Sequence, residues 1–149
     1  MSLDIDVATD GVRSPLGRAS IATVARATLR HERVRDALIS ITFVDRREIG
    51  RLNRAHLGHA GPTDVISFGF TRATPGDPVV GDIYICPEVA SDNAKARGGG
   101  VRDEIARLVV HGVLHVLGYD HPDDEGREAS DMWRRQERLV LRLRGPVRR

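Results

Sequence analysis

Three of the six histidines in this 149-residue chain fall within eleven residues of each other, as His111, His115 and His121. His111 and His115 are four residues apart, so a helix would place both imidazoles on one face, one turn apart. Gly118 can adopt a positive φ, which would end that helix and turn the chain so that His121 completes the set. Three imidazoles with a fourth position open to water are typical of a catalytic zinc site. The segment therefore predicts one zinc ion per chain, and nickel, copper or cobalt would also suit these ligands.

The spacing matches the metzincin protease signature His-Glu-x-x-His-x-x-Gly-x-x-His at every position but one. Where the protease carries its general-base glutamate, this chain has Gly112. Peptide hydrolysis by that mechanism needs the glutamate to take a proton from water. The sequence thus keeps the ligand spacing of a hydrolytic metal site and argues against a metalloprotease.

Composition restricts the class of protein. Hydrophobic residues make up 40% and charged residues 30% of the chain, and the net charge is +2, which is typical of one soluble globular domain spanning residues 1–149. No apolar run approaches the roughly 18 residues that span a bilayer. The start, MSLDIDVATD, lacks a secretory signal, and the single Cys86 has no partner for a disulfide. We therefore expect a cytoplasmic protein that does not engage membranes.

The hydrophobic pattern predicts an α+β fold of about four strands and about five helices. Strands are expected at 2–8, 37–44, 63–70 and 79–86, the last two forming a hairpin. Helices are expected at 15–30 with Ser14 as the N-cap, from the cap Asp45 to near Gly58 with Ala55 facing inward, at 87–97, at 102–117 and from Asp123 or Asp124 to 143. The helix 102–117 carries the first two histidines, and the tail 145–149 is expected to fray.

Three segments together resemble one known family. They are Thr63-Asp-Val-Ile-Ser-Phe68, Gly81-Asp-Ile-Tyr-Ile-Cys86 and His111-Gly-Val-Leu-His-Val-Leu-Gly-Tyr-Asp-His121, followed by a helix with Met132 and Glu137. Over about residues 40–140 the chain resembles the YbeY family of bacterial metal-dependent endoribonucleases, also described as rRNA maturation factors. The resemblance implies a zincin-like fold with a mixed sheet and a zinc ion on His111, His115 and His121. It also implies single-strand-specific RNA cleavage in late 16S rRNA maturation and 70S ribosome quality control.

The resemblance departs from the family at one position. Family members usually carry Asn-x-x-Tyr-Arg before the Thr-Asp strand, and that arginine is associated with holding or acting on RNA. The matching stretch here is Asn53-Arg-Ala-His-Leu57, so Leu57 stands at the arginine position. Arg54 and His56 are the neighbours that could take its place as substrate-binding residues, although surface roles fit both equally well.

Several roles remain open at this stage. Asp120 is the candidate catalytic residue, as base for the attacking water, but it could instead fix an imidazole tautomer or simply form the turn before Pro122. Thr63, Asp64 and Ser67 could contact substrate or stabilise the hairpin.

The reaction and the partners also leave alternatives. A hydroxide formed at the metal or the RNA 2′-OH could attack phosphorus. The expected partner is RNA, in particular the 16S rRNA precursor on the ribosome, with ribosomal or assembly proteins as further partners and no DNA specificity. A non-catalytic ribosome-assembly factor with a structural metal is the alternative function.

Overall fold

A four-stranded mixed sheet organises the computed structural model, which describes residues 1–120 and 130–144. The strands are β1 (Leu3–Thr9), β2 (Ala37–Phe43), β3 (Val65–Phe70) and β4 (Val79–Ile85). The helices are α1 (Arg18–His31), α2 (Arg46–Leu52), α3 (Pro87–Arg97), α4 (Val101–Val116) and α5 (Asp131–Arg144), and a π-helical turn (Asn53–Leu57) follows α2. This architecture confirms the α+β prediction.

The strand order β1-β2-β4-β3 places β3 at one edge of the sheet. β1 pairs with β2 and β2 with β4 in parallel, whereas β3 and β4 form the predicted antiparallel hairpin. Residues of β2 and β4 alternate between buried and partly exposed positions, so each strand turns one face to the main core. α1 and α4 cover that face, burying Ile21, Ile83, Ile105 and Val109.

The opposite face of the sheet is covered only in part. Ile49 and Leu52 of α2 pack there against Ile66 and Cys86. α2 starts as the sequence predicts, because the Asp45 carboxylate accepts a hydrogen bond from the backbone N–H of Glu48 at 2.8 Å.

The end of that helix differs from the prediction. Ala55 was expected to face inward but is exposed. The turn Asn53–Leu57 is π-helical. It has more residues per turn than an α-helix, so Ala55 is rotated away from the core-facing side of α2.

α1 also begins later than predicted. It starts at Arg18 with Gly17 as its N-cap residue, not at Pro15 with Ser14 as the cap. The Ser14 hydroxyl instead donates to the Leu16 carbonyl at 2.7 Å, which uses its hydrogen-bonding capacity in a local turn before the helix.

α5 packs its apolar side on α4. Met132, Leu139 and Val140 are buried against Val110 and Leu114. The predicted helix start at Asp123 or Asp124 and the tail 145–149 lie outside the described residues. Within the ranges that the structure describes, no helix is long and apolar enough to cross a membrane.

Glycines let α4 approach the sheet closely. A Cβ at Gly112 would lie 2.8 Å from Cγ2 of Ile83, well inside van der Waals contact. At the end of α4, Val116 occupies the space beside Gly69 and Gly81, which pair across β3 and β4. A Cβ at Gly69 would lie 2.7 Å from the Val116 carbonyl oxygen, and one at Gly81 would lie 2.5 Å from a Val116 methyl carbon.

We predict that Gly112→Ala destabilises the protein by about 1–3 kcal/mol, because the added methyl group overpacks the interface with Ile83. This loss should outweigh the roughly 1 kcal/mol that alanine gains over glycine inside a helix. Urea unfolding of the parent and the variant measures the difference.

Gly50→Ala is the matched control for that prediction. Gly50 is also helical, but its Cβ would find its nearest neighbours at an ordinary 3.7 Å. This variant should be as stable as the parent or more stable by up to about 1 kcal/mol. Equal stability changes in the two variants would contradict the packing argument.

Candidate metal centre

The last two turns of α4 carry two of the three predicted metal ligands. His111 is buried and His115 is half-buried, and their ring centroids are 4.8 Å apart. The helix then ends as predicted, because Gly118 has a φ of 102° and its N–H donates to the His115 carbonyl at 2.9 Å. The third predicted ligand, His121, lies outside the described residues. In the parts of the chain that are described, no group of three His, Cys, Asp or Glu side chains is placed to hold a metal ion.

A buried glutamine orients the first of these imidazoles. Nδ1 of His111 lies 2.6 Å from Oε1 of Gln136, a residue of α5 that is 1% exposed. Nε2 of Gln136 donates to the Glu137 carboxylate at 2.9 Å, which leaves Oε1 as the oxygen facing the imidazole. His111 must therefore carry its proton on Nδ1, so its lone pair is on Nε2. A neutral imidazole held in one tautomer by such a bond fits a metal ligand.

The hydrogen-bonded chain continues away from the site. Oε2 of Glu137 also accepts from Nε of Arg107 at 2.8 Å, and Arg107 donates in turn to Glu104 at 3.0 Å. The Glu104 side chain is 2% exposed, and its buried carboxylate forms ion pairs with Arg107 and with Arg97, which lies 3.6 Å away. The orientation of Gln136 is thus fixed from behind by a network of paired charges.

The two histidines open into a cleft with a volume of ≈ 360 Å³. It lies between α4 and the edge strand β3 and includes the segment that precedes β3. Its described lining consists of Asn53, Leu57, His59, Thr63, Asp64, Val65, Ile66, Ser67, His111, His115 and Asp120.

The predicted polar residues of the β3 segment do line this cleft. Thr63, Asp64 and Ser67 lie across from the histidines. Asp64 is also anchored, since its carboxylate accepts from Asn93 of α3 at 3.1 Å and from the Thr63 hydroxyl at 3.4 Å. Asp64 therefore both borders the cleft and stabilises the start of the hairpin.

Asp120 lines the same cleft as the two histidines, and the turn that carries it is hydrogen-bonded to Glu32 after α1 and, through that carboxylate, to α5. The Tyr119 hydroxyl donates to Glu32 at 2.6 Å, and Arg135 of α5 donates to the same carboxylate at 3.1 Å. Burial acts to raise the pKa of Glu32, but the hydrogen bonds from Tyr119, His31 and Arg135 lower it overall. Tyr119 thus has a packing role that fixes the turn.

Two residues suggested as replacements for the family arginine lie elsewhere. Arg54 lines a separate groove on α2, and His56 packs edge-on against Phe68, with ring centroids 5.2 Å apart. Leu57 and His59 line the cleft instead. The π-helical turn determines this division, because it directs neighbouring side chains to different sides of the segment.

The cleft has an unusual charge balance for a site that would accept a phosphate. Among its described lining residues there is no arginine or lysine, and the carboxylates are Asp64 and Asp120. Cys86 does not line the cleft, and burial raises the pKa of its thiol.

Sequence reasoning missed Gln136 and the position of His59. A signal for Gln136 was present, since it is a polar residue on the apolar stripe that runs from Met132 to Leu139. Nothing in the sequence distinguished His59 from His56, because their separation depends on the irregular turn between α2 and β3.

Comparison with known proteins gives a consistent picture. The family model described as Endoribonuclease YbeY matches residues 9–144. Among curated relatives described as endoribonuclease YbeY, that of Kineococcus radiotolerans is 42% identical over 81% of this chain and 73% of its own length. That of Thermobifida fusca is 38% identical over 89% of this chain and 96% of its own. The solution structure of TM1509 from Thermotoga maritima superposes with a TM-score of 0.63 at 25% identity, covering 97% of this chain and 91% of that one.

We predict that Gln136→Met weakens zinc binding by about 10- to 100-fold, because methionine keeps the length of the side chain but its thioether is a poor acceptor for the hydrogen bond from Nδ1–H of His111. Competition with a chromophoric chelator at fixed pH measures the affinity without reference to activity.

Gln136→Glu is the companion variant, since it retains an acceptor oxygen toward Nδ1 of His111 although it loses the donor to Glu137. Its zinc affinity should remain closer to that of the parent than to that of the methionine variant. If Gln136→Met binds zinc as tightly as the parent, the Gln136 bond does not orient a ligand.

Proposed function

The chain belongs to the endoribonuclease YbeY family, and from this membership and its cleft we propose that it is a zinc-dependent endoribonuclease that cuts single-stranded RNA. The single observation that supports this most strongly is the paired histidines of α4, with His111 held by Gln136 in its ligand tautomer beside an open cleft. In this proposal His111, His115 and His121 hold one zinc ion per chain.

The zinc ion would act as a Lewis acid that polarises the scissile phosphate and makes a nucleophile available near neutral pH. Asp120 is the proposed proton acceptor, because it lines the same cleft as His111 and His115. Its carboxylate would take a proton from the attacking oxygen, either of water or of the RNA 2′-OH, as that oxygen bonds to phosphorus. The bond to the leaving ribose oxygen then breaks, and that oxygen takes up a proton from solvent water or from the now protonated Asp120.

Substrate contacts would come from the opposite wall. The hydroxyls of Thr63 and Ser67 can donate to phosphate or ribose oxygens. The outer edge of β3 has backbone groups that pair with no other strand in the described part of the chain. His59 would donate a hydrogen bond to a phosphate oxygen, a role that no arginine or lysine among the described lining residues fills. A narrow cleft of this kind admits a single strand more readily than an A-form duplex.

The proposed cellular role follows from the family. The substrate would be the 16S rRNA precursor, and the enzyme would act in its late maturation and in 70S ribosome quality control, in the cytoplasm. Ribosomal or assembly proteins would bring the enzyme to that substrate.

One observation favours the second candidate, a non-catalytic assembly factor with a structural metal. Leu57, at the position of the family arginine, is 46% exposed at the cleft. A metalloprotease is disfavoured by a different observation. Gly112 packs directly on Ile83, so a glutamate there would collide with the sheet.

The main test measures cleavage of a labelled single-stranded RNA before chelation, after chelation and after zinc is restored. We expect chelation to abolish cleavage, zinc to restore it, and His115→Ala to lower the rate at least about 100-fold, since ligand loss removes several kcal/mol of transition-state stabilisation. Cleavage that survives both treatments would contradict a metal-dependent nuclease.

Two further measurements separate the alternatives. In cells that rely on the His115→Ala variant, correct 16S rRNA ends together with lost metal binding would support the non-catalytic role. End-group analysis of the cleaved RNA separates the two nucleophiles, because a cyclic phosphate product requires attack by the 2′-OH.

We predict that His59→Ala lowers kcat/KM for RNA cleavage about 10-fold, the effect of losing one charge-assisted hydrogen bond to a phosphate. His56→Ala is the matched control, because His56 is also an exposed histidine of the same segment but packs on Phe68 and does not line the cleft. Equal losses in the two variants would show that His59 has no special role in the reaction.

A further inference from the structure

A second groove, on the outer side of α2, is lined by four arginines. Its volume is ≈ 600 Å³, and it runs between α2 and the segment that leads into β3. The lining residues are Arg46, Arg47, Gly50, Arg51, Arg54, Ala55, Gly61 and Pro62. The floor is low because Gly50 and Gly61 have no side chains to fill it. We call this surface the α2 groove.

Two of these arginines already have carboxylate partners. Arg51 makes two hydrogen bonds to Glu48, at 2.9 and 2.7 Å. Arg46 donates to Asp92 of α3 at 2.6 Å. These pairs hold two guanidinium groups in place, and each keeps further N–H groups for another acceptor.

Arg47 and Arg54 are different, because no ion pair or side-chain hydrogen bond links either of them to another described residue. Both are exposed, and no carboxylate lies among the residues that line the α2 groove. Exposed guanidiniums without a carboxylate partner suit an anionic ligand, since the nearby acids Glu48 and Asp92 are already paired with Arg51 and Arg46, and their planar donors match phosphate.

The α2 groove and the metal-centre cleft share one wall. Asn53 faces the cleft and the next residue, Arg54, faces the groove. The same alternation recurs at the other end of the segment, where Pro62 lines the groove and Thr63 lines the cleft. A strand that leaves the cleft over this segment therefore meets Arg54 first.

We propose that the α2 groove binds the phosphodiester backbone of the RNA strand that flanks the cleavage site, with Arg47 and Arg54 as its main contacts. This inference rests on the proposed function, because it assigns the flanking part of that substrate. Binding does not depend on base identity, since no aromatic side chain lines the groove for stacking. It also supplies, outside the cleft, positive charge of a kind that the described lining of the cleft does not contain.

The test compares Arg47→Gln/Arg54→Gln with the parent on two RNAs, a short oligonucleotide that fills only the cleft and a longer one of the same central sequence. Binding is measured at several salt concentrations with a chelator present, so that no RNA is cut. We expect the Kd for the long RNA to rise about 5- to 30-fold. The slope of log K against log salt should become shallower by about 1.4, or about 0.7 for each lost contact to a single strand. The Kd for the short RNA should not change.

Arg138→Gln/Arg142→Gln is the matched control, because it removes the same charge from exposed positions on α5. Its long-RNA affinity should stay within about twofold of the parent, and thermal unfolding of both double variants checks that they are folded. If both double variants weaken long-RNA binding equally, the loss is due to net charge alone and the proposal is overturned. An unchanged Kd in the groove variant would overturn it as well.

The outcome is separable from that of the proposed function. If the parent cuts no RNA, but the groove variant loses long-RNA affinity and the control variant does not, the α2 groove proposal is supported and the nuclease proposal fails. If the parent cuts RNA and the groove variant retains both affinity and KM on the long substrate, only the groove proposal fails.

Discussion

The close contact of α4 with β3 and β4 is the constraint on which the rest of the structure depends. Helices normally pack on sheets with side chains between the two backbones, but here Gly112, Gly69 and Gly81 remove side chains where the backbones approach most closely. Val116 fills the space that two of them leave. The result brings the histidine face of α4 close to the edge strand, so that one narrow cleft forms between them.

The second organising element is a polar network inside an otherwise apolar helix pair. α4 and α5 bury Val110, Leu114 and Met132, yet they also bury Gln136 and Glu104. Buried polar groups are costly unless each finds a partner, and here every link ends on another charged or hydrogen-bonding group. Such a network adds little net stability, but it fixes how the helices are rotated against each other and thereby which way His111 faces.

Sequence periodicity predicted most of the fold, because local pattern decides most of it. The hairpin follows from two apolar runs around a Pro-Gly turn, and Gly118 ends α4 because only a residue that tolerates positive φ fits there. The predictions that were wrong concern features that do not follow the hydrophobic periodicity of a helix or strand. The π-helical turn displaces Ala55, and Ser14 prefers a local turn to a helix cap.

The candidate site likewise combines features that the sequence predicts with features that it does not. The spacing of His111 and His115 is local and could be read directly, whereas Gln136 reaches His111 from 25 positions away in the sequence. The separation of His56 from His59 depends on a backbone irregularity that residue types alone do not encode. Tertiary contacts and unusual turns are therefore what sequence reasoning could not supply.

The bond between Gln136 and His111 has a thermodynamic consequence for the C-terminal helix. Because His111, a proposed metal ligand on α4, is oriented by a residue of α5, metal binding at this site would be linked to the docking of α5. Loading the site should tighten the attachment of α5, and any loosening of that helix should lower metal affinity by the same free energy. A metal bound at this centre would then stabilise the packing of α5 on α4 as well as take part in chemistry.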